Sequence, residues 1–320
     1  MRQTTLCILG GTGFVGHHLA NRLLPDGYRL RMLTRRRERH RELLVNPAVT
    51  LLEADIHDPS ALERHFQGVD AVINLVGILN DPDRHGAGFQ RVHVELPRKV
   101  TAAARNAGVS RLLHMSALNA DAGERQCRYL MSKGAGEDLV HAAAGADLVV
   151  TSFRPSVIFG PGDSFFNRFA SLLRLAPGVF PLACPDSSFA PVCVSDVAEA
   201  MCRALDDATG GERLELCGPE VYTLRALVEY TRDQLGLHRA ILGLGRGMSR
   251  LQARVLGLLP GQPFTLDNFH ALQKDSICAC NALPTLGINP TPIEAVVPRY
   301  LGGRSARARY DVLRRHAGRP

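Results

Sequence analysis

No apolar stretch in this 320-residue sequence is long enough to cross a bilayer. The best candidate, Ala71 to Leu79, falls far short of the roughly 20 residues a spanning helix needs. A transmembrane segment is therefore excluded. None of the eight cysteines forms a Cys-x-x-Cys pair, and no histidines stand at zinc-ligand spacing, so no metal site is expected. No signal peptide is recognised, which sets an expectation of reduced thiols and a cytoplasmic location, with the inner face of the membrane as a peripheral docking place. Repeats and low-complexity segments are absent. The basic clusters lack interleaved aromatics or a nucleic-acid motif, which argues against nucleic acid as a partner.

What is present is an ordinary globular composition, 45% hydrophobic and 22% charged, with a net charge of +7. Much of that charge is local. Seven arginines fall between Arg29 and Arg41, and six more (Arg304, Arg307, Arg309, Arg314, Arg315, Arg319) lie in the tail. Such clusters suit phosphates, acidic lipid or acidic partners.

Short apolar runs alternate with amphipathic stretches. Leu6–Leu9, Leu30–Leu33, Val49–Ala54, Ala71–Val76, Leu112–Met115 and Val149–Phe153 read as strands. Phe14–Leu24, Glu95–Ala107 and Tyr129–Ala144 read as helices between them. This alternation predicts an α/β fold, a Rossmann-type doubly wound parallel sheet, with a smaller C-terminal lobe for substrate or partner. We assign 1–155 to the cofactor domain, with 191–219 returning to it. The second lobe takes 156–190 and 220–301, and 302–320 is a basic tail.

Gly10, Thr12, Gly13, Phe14, Val15 and Gly16 follow the first strand and open a helix. The first glycine permits a tight turn, the second lets backbone approach a pyrophosphate, and the third lets helix pack on strand. The helix N-terminus then faces the negative charge. The second strand should end in Asp or Glu if the ribose of NAD(H) were held there. Thr34-Arg35-Arg36 stands there instead, and a guanidinium can pair with a 2′-phosphate, so NADP(H) is preferred over NAD(H). Asp55 and Ile56 end the third strand and are placed near the adenine. Leu75, Val76 and Gly77 end the fourth and are placed beside the ribose.

Tyr129 and Lys133 stand one helical turn apart, and Ser116 ends the preceding strand. A phenol's ordinary pKa of about 10 is expected to fall beside an ammonium. It could then pass a proton to or from a carbonyl or alcohol oxygen that Ser116 orients. Pro155 and Ser156 would flank the nicotinamide. His93 reads either as lining the site or as a packed histidine. The stripe Met248, Leu251, Val255 and Leu258, with arginines beside it, reads as core more readily than as a membrane contact.

Together the glycine loop, Thr34-Arg35-Arg36, His114–Ala120, Tyr129–Glu137, Pro155–Gly160, Asp163–Phe169, Pro191–Val197 and Leu286–Glu294 resemble an extended, atypical short-chain dehydrogenase/reductase. The sequence most resembles the NAD(P)H-binding accessory subunit family of respiratory complex I (alpha subcomplex subunit nine) and its free bacterial relatives. The resemblance covers residues 4–301. It implies a tightly held NADPH, contacted by Gly10, Thr12, Gly13, Phe14, Val15, Gly16, Arg35, Asp55, Tyr129 and Lys133, and a link to complex I or ubiquinone metabolism. His93 departs from the asparagine that many active members carry on this helix. Two readings stay open. One is an oxidoreductase using Ser116, Tyr129 and Lys133 on a small-molecule or quinone-like substrate. The other is a non-catalytic NADPH-binding subunit docked on a respiratory complex or membrane surface.

Overall fold

The computed structural model describes residues 4–81, 83, 85–206 and 209–302; the tail arginines lie outside them. The described chain divides into two compact units.

The first unit comprises the chain up to Pro155, Ser195–Leu216 and Cys278–Asn289. Its centre is a seven-stranded sheet built on β1 (Thr5–Leu9), β2 (Arg29–Thr34), β3 (Val49–Glu53), β4 (Ala71–Asn74), β5 (Arg111–Met115) and β6 (Val149–Pro155). The order is β3-β2-β1-β4-β5-β6, with Arg213–Leu216 beyond β6, and every pairing is parallel. The expected doubly wound parallel sheet is present. Strands covered by helices on both faces must be apolar throughout. Cys7, Ile8 and Leu9, Val72 and Ile73, and Leu112 and Leu113 are accordingly fully buried. On one face, Leu62 and Phe66 of α2 (Pro59–Phe66) and Leu96, Val100, Ala103 and Ala104 pack against Cys7, Leu9, Val72, Leu112 and Val150. Helix α1 (Phe14–Leu23) buries Leu19, Ala20 and Leu23.

One helix differs from its expectation. The regular helix runs Leu96–Asn106, and a π-helical segment, Gln90–Glu95, precedes it. Leu96 N–H bonds to the Arg91 carbonyl five residues back. The cause is local: Pro97 has no N–H to offer the His93 carbonyl, so the α-helical ladder cannot form there.

The second unit comprises Ser156–Val194, Cys217–Ile277 and the chain from Pro290. Helices Phe165–Leu175, Leu224–Gln234 and Ile293–Leu301 surround a cluster of Phe159, Phe166, Leu173, Phe189, Leu227, Val228 and Val297. Three two-stranded sheets complete it. Thr223 caps its helix, accepting the Ala226 N–H at 3.1 Å. Six cysteines are free thiols, but Cys217 and Cys278 are disulfide-bonded, which corrects the expectation of reduced thiols at those two.

Candidate functional site

The sheet reverses its strand order between β1 and β4, and the glycine loop leaves β1 at that switch point. Gly10 has φ +75°, and a Cβ on it would lie 3.2 Å from the Leu75 carbonyl carbon and the Val76 nitrogen. The turn therefore needs glycine both for its conformation and for its closeness to the end of β4. Gly13 N–H closes the turn on the Gly10 carbonyl at 3.0 Å. A Cβ on Gly16 would sit 2.4 Å from the Gly11 oxygen, closer than any side chain tolerates. Helix α1 begins at Phe14 without a side-chain cap or an acidic residue in its first turn. Its leading N–H groups keep the positive end of the helix open to an anion.

Past β4, Leu75 N–H bonds the Leu9 carbonyl at 2.9 Å, and Val76 N–H bonds Asn74 Oδ1 at 3.2 Å. Leu75, Val76 and Gly77 are thus brought beside the glycine loop. On the other side, β2 ends at buried Thr34, whose Oγ1 accepts the Arg36 N–H at 3.4 Å. The Arg35 and Arg36 side chains are exposed and have no ion-pair partner among the described residues. Their neighbour Arg41 is paired with Glu38. Asp55 spends its Oδ1 on the His57 N–H at 2.9 Å, an Asx turn that shapes the end of β3, and half-buried Ile56 packs into the core.

Three groups of the candidate catalytic set come from β5 and the helix Arg128–Ala142. Lys133 is buried, and its Nζ donates to the Met115 carbonyl at 2.6 Å, one residue before Ser116. The same Nζ lies 3.7 Å from where a Gly77 Cβ would stand, so the end of β4 meets this lysine through a glycine. Ser116 is buried, and its Oγ has no hydrogen-bond partner among the described residues. A buried hydroxyl without a partner costs about 1–3 kcal/mol, and such a site suits an incoming oxygen. Burial holds the Lys133 ammonium down to about 8, with Glu137 opposing. Burial also pushes the Tyr129 phenol up to about 12. The expected lowering of Tyr129 by a neighbouring ammonium is not found. Desolvation dominates, and Lys133 is engaged with a backbone carbonyl.

His93 is a packed histidine with an assigned tautomer. Its Nε2 accepts the Ile78 N–H at 3.0 Å, so the proton of the neutral ring resides on Nδ1. Nδ1 faces Ser132 Oγ at 2.9 Å, and Ser132 donates to the Tyr129 carbonyl at 2.9 Å. The ring stacks on Phe89 and meets Tyr129 edge-on. Burial and the Lys133 charge push it down to about 2, so it stays neutral. His93 therefore fastens the chain after β4 to the start of the Tyr129 helix, with its Nδ1 proton directed at Ser132. The π-helical segment fits the same junction: a Cβ on Gly136 would strike the His93 carbonyl.

Pro155 ends β6, and its carbonyl accepts the Leu118 N–H at 3.1 Å, tying β6 to the chain after Ser116. Ser156 belongs to the second unit, where its Oγ bonds the Ser276 carbonyl at 2.8 Å and lies 2.9 Å from Ser276 Oγ. Sequence reasoning missed Glu137. Fully buried on the Tyr129 helix, it takes both Arg154 Nε and Nη2, the latter at 2.7 Å, and so joins β6 to that helix. Its i+4 spacing from Lys133 was the available signal. The stripe on Arg246–Leu256 is the other revision. Met248, Leu251, Val255 and Leu258 are 51–71% exposed, so they are not core.

Residues 6–217 match the model of the NAD dependent epimerase/dehydratase family. Over 306 residues, 90% of this chain and 77% of the relative, the sequence is 29% identical to NADH dehydrogenase (ubiquinone) 1 alpha subcomplex subunit 9, mitochondrial, of Rattus norvegicus. It is 36% identical over 204 residues to the ceramide reductase of Caulobacter vibrioides, covering 62% of this chain and 61% of that one. Among solved structures, NADPH-dependent quinone oxidoreductase QOR2 of Escherichia coli, complexed with NADPH, aligns with a TM-score of 0.73 at 22% identity, covering 91% of this chain and 98% of that one. The dTDP-glucose 4,6-dehydratase DesIV of Streptomyces venezuelae, with NAD bound, aligns at 0.75 and 21%, covering 97% and 100%. At these identities the structural likeness speaks for the fold. The expected resemblance to complex I subunit nine and to bacterial relatives is found, and the Caulobacter vibrioides relative is named a reductase.

Proposed function

The chain belongs to the NAD dependent epimerase/dehydratase family, and from that premise we propose that it is an NADP(H)-dependent reductase of a lipophilic carbonyl compound, quinone-like or long-chain, with Ser116, Tyr129 and Lys133 as its catalytic set. The observation that carries this reading is the buried, unpartnered Ser116 hydroxyl, one residue beyond the carbonyl that anchors Lys133. The glycine cradle and the open start of α1 suit a pyrophosphate, and Gly10, Thr12, Gly13, Phe14, Val15 and Gly16 would hold it. The unpaired Arg35 and Arg36 suit a 2′-phosphate. Leu75, Val76 and Gly77 would border the ribose, with Asp55 and Ile56 at the adenine and Pro155 and Ser156 at the nicotinamide.

NADP(H), held by these residues, would supply the hydride chemistry. The rest is done by side chains. Ser116 donates a hydrogen bond to the substrate oxygen and fixes its position. Tyr129, protonated at neutral pH because burial holds its phenol high, gives that oxygen a proton as charge develops on it. Lys133, still mainly an ammonium at pH 7, would hold the ribose hydroxyls from its seat on the Met115 carbonyl.

Purified protein with NADPH should reduce at least one member of a panel of quinones and long-chain ketones. Tyr129→Phe should lower that turnover by about 100-fold or more while NADPH binding, read by fluorescence, holds. If no panel member oxidises NADPH, the reading fails. A second reading then stands, a non-catalytic NADPH-binding subunit docked on a respiratory complex or an acidic membrane surface. The exposed stripe favours it, because Arg246, Arg250 and Arg254 are exposed on the same helix. Tight NADPH retention together with co-sedimentation on acidic vesicles, lost in Leu251→Asp, would support it.

A further inference from the structure

We propose that His17, His40 and Glu42 form a binding site for a divalent transition-metal ion of the zinc class, set beside the cofactor loop. His17 Nε2 lies 3.8 Å from Glu42 Oε1, and His40 Nδ1 lies 3.6 Å from the same oxygen. All three ligand atoms fall within 4.8 Å of one another, and no other group of three such side chains does so among the described residues. Zinc bonds of ~2.0–2.1 Å place tetrahedral ligands roughly 3.3 Å apart. Two of the three edges need to close by only a few tenths of an ångström. Two imidazoles and a carboxylate leave the fourth position to water or an exogenous donor.

The surroundings fit a ligand role. His40 stands at the break in the segment Arg37–Val45, with φ −129° and ψ 35°, between two helical turns. All three side chains are partly exposed, so an ion can enter. The many arginines nearby disfavour Mg2+ and Ca2+, which depend on charge and oxygen donors. Zn2+ gains directional bonds to imidazole instead. A bound ion would clamp α1 to the segment that follows Arg35 and Arg36.

Sequence spacing could not show this site, because His17 and His40 belong to different elements. The test is titration calorimetry of chelator-treated, full-length protein with ZnCl2, alongside Co2+ absorption as a readout of coordination. One saturable site is expected, with a tetrahedral Co2+ spectrum and no comparable response to Mg2+. His40→Ala and Glu42→Gln should each weaken Zn2+ by about tenfold or more, and Cys280→Ser, which removes an exposed free thiol, should leave it unchanged. Metal-free melting curves show whether the variants remain folded. The proposal is overturned if wild-type protein shows no saturable Zn2+ binding, if both ligand variants bind as wild type does, or if Cys280→Ser abolishes binding. None of these outcomes depends on whether the protein turns over a substrate.

Discussion

The two ends of the cofactor site are built on opposite physical plans. At the β2 end, Arg35 and Arg36 are exposed and unpaired among the described residues. At the β5 end, Ser116, Lys133 and His93 are buried, and all but the Ser116 hydroxyl are engaged within the protein. The exposed end needs only the right charge, because water solvates it until a phosphate arrives. The buried end needs every donor matched, because an unmatched group there has no water to turn to. Charge alone describes the first plan. Titration behaviour describes the second, and burial rather than residue type decides it.

The largest effect should come from a change that breaks both ends together. Gly16→Val places a side chain where even a Cβ would meet the Gly11 backbone. The loop must open, and α1 must leave its seat on the sheet. NADPH binding should disappear, and stability should fall by about 1–3 kcal/mol or more. Fluorescence titration and thermal melting check both parts; an unchanged titration would mean that the loop does not carry the cofactor.

A smaller effect should separate the ends. Replacing Arg35 and Arg36 with alanine removes two guanidinium groups that no carboxylate among the described residues holds. NADPH should weaken by about 10–100-fold, the equivalent of about 1.5–3 kcal/mol for a charge-assisted contact. NADH should bind as before. Equal weakening of both cofactors would instead make the pair a general field for phosphates, and the proposed NADP(H) preference would fall.

The same contrast explains how far the sequence could be read. The glycine loop was legible because Gly10 and Gly16 answer to backbone geometry, which leaves a fixed spacing. The parallel sheet was legible because strands buried on both faces are continuously apolar, as in Leu6–Leu9 and Leu112–Met115. The π-helical segment was not, since the sequence cannot say which ladder the chain adopts once Pro97 breaks the ordinary one. His93 was left ambiguous for a related reason: its partners Ile78 and Ser132 lie 15 and 39 residues away. The pKa of Tyr129 was expected to move in the wrong direction, because a Tyr/Lys pair at helical spacing gives the charge but not the desolvation. The Met248–Leu258 stripe was misjudged in the same manner, since a periodic pattern fixes a face and not what covers it.

The smallest effect should come from Lys133, and its sign tests the burial plan directly. The amine has a pKa of 10.5 in the unfolded chain and about 8 in the folded one. Between those values the unfolded state holds more protons than the native state, so this group makes stability rise with pH from about 8 to 10.5. Below about 8 the lysine is charged in both states, and its desolvation cost, on the order of 3 kcal/mol, is present in full. Lys133→Met removes that cost but strands the Met115 carbonyl, which takes back about 1–3 kcal/mol. At pH 7 the variant should therefore melt close to wild type or slightly above it. As pH rises towards 10 the wild type alone recovers its penalty, and the variant should fall behind. Melting curves at pH 7, 8.5 and 10 read this crossing. A variant that trails wild type by the same margin at every pH would show that Lys133 keeps its water, and the nicotinamide end would then follow the same exposed plan as Arg35 and Arg36.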